Sequence, residues 1–131
     1  MIPKIFYQFV CKQQIEELEK REEEKEIKDK INKFEKIFND MPIVNEQYGN
    51  KNNAVIYLHY FKNLPSSLTI INWYIIEKDN KENQTEAFGM YNLEETFESG
   101  YISIKELIKD NIKLNFEWKF KIVNEIKKNN L

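Results

Sequence analysis

The hydrophobic period of this chain changes once, and that change does most to limit its fold. From Lys12 to Asp40 there is no glycine or proline, and Glu, Lys, Gln and Ile dominate. Most of these are good helix formers. Ile27, Ile31, Phe34 and Phe38 recur at i, i+4, i+7 and i+11, one apolar stripe along a helix. From Ala54 the period becomes two. Val55, Tyr57, His59 and Phe61 alternate with Ile56, Leu58 and Tyr60, the pattern of a strand. Between the two lies Met41 to Asn53, where Pro42, Gly49 and four asparagines predict a loop. The expected organisation is a helical arm over 1–40, a linker loop over 41–53 and an α+β domain over 54–131. A chain of 131 residues suits one domain of ordinary size.

Helix is expected over residues 3–39, with Pro3 in the first turn, where its missing N–H costs nothing. Ile15 and Leu18 begin a second stripe. Lys20 to Glu26 then reads Lys-Arg-Glu-Glu-Glu-Lys-Glu, with Glu16–Lys20, Glu24–Lys28 and Glu26–Lys30 at the favourable i, i+4 spacing. The middle of this long helix either stands in water or bends into a hairpin. The apolar group Ile5, Phe6, Phe9 and Val10 must bury on the body, on a second copy or on a partner.

In the second half, Leu68 to Glu77 predicts a strand that forms an antiparallel hairpin with 54–61 across Lys62 to Ser67. A third strand is expected at Thr85–Tyr91 and a fourth at Phe97–Ile102. Ser103 and Glu106 fit a capping box opening a short helix to about Asp110. Leu114, Phe116, Trp118 and Phe120 alternate as a last strand, and Ile122, Val123 and Ile126 suit a C-terminal helix. The fold class is therefore α+β: a long N-terminal helix, then an antiparallel meander of four to five strands with short helices on one side.

Charge and composition narrow the function. Twenty basic and 22 acidic side chains give a net charge of −2, and only Arg21 is an arginine. No overall positive field draws nucleic acid, and bidentate forks for phosphate or guanine are nearly absent. Lys105, Lys109 and Lys113 would share one face if their helix continued, the one arrangement favouring a weak lysine-faced nucleic-acid binder. Cys11 alone cannot form an internal disulfide. No apolar run approaches the roughly 20 residues of a membrane span, and the first ten residues lack the features of a signal peptide. A cytoplasmic protein without membrane partners is expected.

Catalytic signals are sparse. His59 is the only histidine, and no serine or cysteine is linked to it in sequence. With one His and one Cys, a zinc site would need carboxylates for its other ligands, so no metal and no cofactor is expected. Cys11 reads as an incidental or buried thiol. Gly100 before Tyr101 reads as a position needing close approach or positive φ. Glu82, Glu86, Glu94, Glu95 and Glu98 make one acidic stretch, either a solvated loop face or a patch that meets a basic groove, and Glu22, Glu23 and Glu24 lie on the charged helix expected as a second contact surface.

One resemblance adds to this. Tyr60-Phe61 closes the first strand, Trp73-Tyr74 lies in the second and Phe88-Gly89 in the third. The segment from Phe97 to Leu107, Phe-Glu-Ser-Gly-Tyr-Ile-Ser-Ile-Lys-Glu-Leu, looks like a Glu-x-Gly-Tyr-Phe-Ser-Leu-x-Glu-Leu signature. On these residues, with Trp118-Lys119, the stretch 54–126 resembles the bacterial domain-of-unknown-function family numbered twenty-nine fifty-eight. Asn115-Phe116-Glu117 stands where that family often carries an arginine-acidic pair, and the N-terminal helix is longer and more charged. The resemblance implies an α+β fold and a plasmid or phage setting, with no activity attached.

The expected function is a non-enzymatic protein-binding module. The mobile-element setting implied by the resemblance suggests a counter-defence, anti-CRISPR-like inhibitor. It would block the nucleic-acid channel of an immune effector nuclease or its ribonucleoprotein, through Lys12–Asp40 and Glu82–Glu98. The alternative is a self-associating accessory protein, a homodimer through its N-terminal helix.

Overall fold

The computed structural model describes residues 1–47, 51–65, 69–93 and 96–129. The expected long helix is three: α1 (Phe6–Phe9), α2 (Lys12–Lys20) and α3 (Lys25–Asp40). Helical phase explains the break. Leu18 and Ile27 are nine residues apart, which on one continuous helix places them about 180° apart. The Ile15/Leu18 stripe and the Ile27/Ile31/Phe34/Phe38 stripe would then face opposite ways. Breaking the helix at 21–24 lets both enter one core, where Ile15, Leu18, Ile27, Ile31, Phe34 and Phe38 are all buried. Arg21 makes the turn, forking onto Glu24 with two 3.0 Å hydrogen bonds. An earlier break falls where Val10 and Cys11 are extended, with ψ of 133° and 155°.

The strands are β1 (Val55–Ile56), β2 (Leu58–Leu64), β3 (Thr69–Glu77), β4 (Ala87–Leu93), β5 (Thr96–Ile102), β6 (Lys113–Leu114) and β7 (Lys121–Ile122). The main sheet has the order β5-β4-β3-β2-β6 and is antiparallel throughout. β1 and β7 form a separate small ladder. Two further helices are α4 (Ile104–Lys109) and α5 (Val123–Asn129). The meander, the Ser103 cap and the C-terminal helix follow expectation, and the Ser103 side chain accepts the Glu106 N–H. Leu68, the expected start of β3, lies outside the described residues.

The sheet separates two apolar layers. On one face Leu58, Tyr60, Ile75, Ala87 and Ile102 pack against the helices. Phe38 is central there: Phe9 stacks on it at 4.5 Å and Phe6 meets it edge-on at 5.0 Å. The apolar N-terminal group thus buries on the chain's own body. The expectation of short helices on one side is corrected: α4 lies with α1–α3, whereas on the other face Trp118 and α5 cover Ala54, Ile56, Tyr74, Ile76 and Met90, since Val123 and Ile126 need an apolar layer of their own.

The alternating run after Leu114 is not a strand. Asn115 accepts the Glu117 N–H at 2.9 Å on its side chain and the Trp118 N–H at 3.2 Å on its carbonyl, closing a local turn. The aromatics then part: Phe116 packs edge-on to Phe34, Trp118 enters the opposite layer, and Phe120 lies on Tyr57.

Glutamines stand in for missing strands. Gln14, buried on α2, donates to the Leu114 carbonyl at 2.9 Å and accepts its N–H at 2.8 Å. Gln47 bonds both backbone groups of Val55 and the carbonyl of Ile76. Residues 42–44 run beside the end of β3, where Lys78 reaches the carbonyls of Phe38 and Asn39 at the end of α3. A cation there offsets the negative pole of that helix.

Candidate functional site

Cross-strand partners share a face of a sheet, so register assigns the face opposite α1–α4 row by row. His59, Tyr74, Met90 and Ser99 form one row, and Phe61, Asn72, Asn92 and Phe97 the next. Ile70, paired with Asn63, lies beyond them and is 50% exposed. On the other side of the His59 row comes Glu77, Phe88 and Tyr101.

A β-bulge creates that last row. Ile75 pairs with Gly89 and Glu77 with Phe88, so Ile76 is the extra residue on β3. Simple alternation would turn Glu77 toward the helices, in phase with buried Ile75. The bulge instead puts it beside Phe88. β4 must approach closely here, since a Cβ on Gly89 would sit 2.0 Å from the Tyr74 carbonyl oxygen. Gly89 is thus the close-approach glycine. The expectation for Gly100 is corrected: its added Cβ would meet nothing within 4 Å, and its cross-strand partner is Gly89, which has no side chain to crowd it.

His59 is the hub of an amide and aromatic cluster. Its Nε2 bonds the Asn72 side-chain oxygen Oδ1 at 2.7 Å, and its Nδ1 faces the Asn115 side-chain nitrogen Nδ2 at 3.1 Å. These partners fix a neutral ring with the proton on Nε2. Tyr74 stacks on it at 5.0 Å, and Phe61 and Trp118 flank it at 5.9 and 5.1 Å. Burial pushes its pKa below the usual 6.5, the Asn72 bond opposes that, and the Lys121 charge adds to it. The Asn72 N–H in turn bonds the Asn92 side chain at 3.0 Å.

Beside this cluster is a cavity of about 640 Å³. Ile76, Phe88, Met90, Tyr101 and Val123 give it apolar walls, Gln47, Asn52 and Ser99 add polar groups, and Glu77 and Lys127 bring opposite charges. Glu77 is only 4% exposed and accepts the Gln47 N–H at 2.6 Å. Phe88 and Tyr101 meet edge-on at 5.9 Å.

The expected carboxylates fall on three separate elements. Glu22, Glu23 and Glu24 occupy the turn between α2 and α3. There they pair with the amino terminus at 2.6 Å, Lys28 at 3.5 Å and Arg21 at 3.0 Å. Glu82 and Glu86 are exposed on the β3–β4 turn. That turn is locked by Gln84, which is buried with φ of 51°, and by Asp79, which accepts the Lys81 and Glu86 N–H groups. Glu98 is exposed on β5, and Glu94 and Glu95 lie outside the described residues. The lysine face is also corrected. Asn111, with φ of 58°, ends α4, so Lys113 lies in β6 and not on a helix with Lys105 and Lys109. Cys11 is buried and free, its thiol directed at Gln14. Among the described residues no three His, Cys, Asp or Glu gather as metal ligands, and no helix is long and apolar enough to cross a membrane.

Sequence reasoning missed Glu77, Gln14 and Gln47. Each left a faint signal: Glu77 ends an apolar strand, Gln14 sits beside Ile15 in a buried stripe, and Gln47 is the one glutamine in an asparagine-rich loop. Comparison with protein-family models, curated proteins and solved structures gives no match for this chain.

Proposed function

We propose that this chain is a protein-binding module that captures an extended segment of a partner along the outer edge of β5. The observation that carries this reading is the shape of that edge. Among the described residues β5, a seven-residue strand, forms a ladder with β4 alone, and the other outer strand, β6, has two residues. A long open strand is a template for main-chain pairing, in which neighbouring side chains supply selectivity. Thr96, Glu98, Ser99 and Tyr101 are exposed along it, with Phe97 half-buried on the amide and aromatic face. Glu98 brings one of the sequence-derived carboxylates to this edge and favours a basic residue opposite it. Binding without bond chemistry also fits a histidine with both ring nitrogens engaged and a buried thiol. The narrower role, inhibition of an immune nuclease through its nucleic-acid channel, rests on the family resemblance alone.

Affinity capture with mass spectrometry tests the reading when paired with edge variants. Glu98→Lys and Thr96→Lys change exposed positions of β5. Partners retained by the wild type should be lost by both. Retention of the same partners by wild type and variants alike, or of none by the wild type, rejects the β5 edge as a docking site. A dimer in light scattering that these variants dissolve would assign the edge to a second copy.

A further inference from the structure

We infer that the cavity walled by Phe88, Met90, Tyr101 and Val123 is a site for a small organic cation, an ammonium or amidinium carried on an apolar body, with Glu77 as its anionic anchor. A volume of about 640 Å³ falls within the range of small-molecule pockets. Its walls are mostly apolar, so the ligand's body must be apolar too. The head group follows from Glu77. Among the side chains that are described, no lysine, arginine or histidine forms an ion pair with this 4% exposed carboxylate. A buried carboxylate without a cation is costly, and a ligand cation would offset that cost. The chain also builds this placement. The extra residue at Ile76 swings Glu77 out of phase with Ile75, and Gly89 allows the approach that lets the bulge form. The rings of Phe88 and Tyr101 and the Met90 thioether suit the neighbourhood of a cation. Lys127, on α5 and bonded to Asn52 at 3.1 Å, opposes it and favours a ligand whose charge is seated at the Glu77 end.

The site does not depend on β5 edge pairing, and its test needs no partner protein. The Met90 methyl is an NMR reporter inside the cavity wall. Benzamidine and phenethylammonium are titrated as cationic probes, benzamide as the neutral isostere of the first, and benzoate as the anion. Saturable shifts of Met90 are expected with both cations, with binding at least about ten-fold weaker for benzamide and for benzoate, the size of one lost charge contact. Glu77→Gln should remove that preference, and Lys127→Met should strengthen both cations. Equal binding of benzamidine and benzamide to the wild type, tighter binding of benzoate, or no saturable shift with either cation overturns the inference. These comparisons use the wild-type protein and stand even if Glu77→Gln fails to fold.

Discussion

Replacing Gly89 and Gly100 by alanine should change stability in opposite directions. At Gly89 the new Cβ would lie 2.0 Å from the Tyr74 carbonyl oxygen and 3.1 Å from the Ile75 Cα. A carbon and a carbonyl oxygen approach to about 3.3 Å at closest in ordinary contacts, so β3 and β4 must separate by roughly 1.3 Å. The obstacle is backbone in a central strand paired on both sides, with β2 and β4. No side-chain rotation relieves it. The cost belongs at or above the top of the overpacking range, about 3 kcal/mol, a large share of a total stability of roughly 5–15 kcal/mol. For a domain of this length that corresponds to a melting temperature lower by about 10 °C. At Gly100 a Cβ meets nothing within 4 Å and φ is not in the left-handed region. Alanine there restricts the unfolded chain and should stabilise by about 0.4–1 kcal/mol.

Urea and thermal unfolding of the two variants beside the wild type measure both effects. A Gly89→Ala protein melting within about 2 °C of wild type would refute the packing argument, and so would Gly100→Ala destabilised to the same extent. The pair also probes the bulge. If separation of β3 and β4 lets it collapse, Glu77 loses its place beside Phe88, and surviving folded Gly89→Ala protein should show weakened cation binding.

Three further predictions concern buried polar groups. Gln14→Leu leaves the N–H and the C=O of Leu114 without their partners and should cost about 2–4 kcal/mol, with faster hydrogen exchange at Leu114; an unchanged urea midpoint would count against the glutamine clamp. Tyr60→Phe removes the hydroxyl that bonds the Phe9 carbonyl at 2.6 Å in a fully buried site and should lower stability by about 1–2 kcal/mol without altering the circular dichroism; a cost below about 0.5 kcal/mol contradicts it. His59 supplies a pH dependence. Burial first, and the Lys121 charge after it, hold its pKa below 6.5 against the Asn72 bond. The unfolded chain therefore takes up a proton before the folded one does, so stability is full above about pH 6.5 and declines below it. The urea midpoint should fall between about pH 7 and pH 5.5, and His59→Gln should flatten that fall; an equal slope in both proteins removes His59 as its source.

Period and phase carry much of the fold in the sequence. The switch from helical to alternating spacing separates α3 from the sheet, the meander is legible through β5, and the Ser103–Glu106 spacing marks α4. The break in the N-terminal helix was available as well, since Leu18 and Ile27 cannot share a face across one straight helix. The end of β6 was harder to read. Leu114, Phe116, Trp118 and Phe120 keep a perfect alternation, but Asn115 closes a turn with its own side chain, a local choice that period does not register. The carboxylate stretches were visible as composition. Their scatter over a helix turn, a loop and a strand depends on chain reversals that composition does not encode.

The missed feature of greatest consequence is a matter of phase. On a period of two, Glu77 follows Ile75 and should enter the helix-side layer, where Phe6, Phe9, Phe34 and Phe38 offer no counter-charge. A carboxylate in step with a core position is physically inconsistent with an uninterrupted strand. Either the strand ends before it or the ladder slips by one residue. The partner strand settles which: β4 carries Gly89 opposite Ile75, where a side chain would collide with the backbone that the slip brings near. A charged residue in core phase, with a glycine on the neighbouring strand, therefore reads as a bulge that redirects the charge to the other face. That face here holds the cavity, so the same two residues that break the alternation define the site.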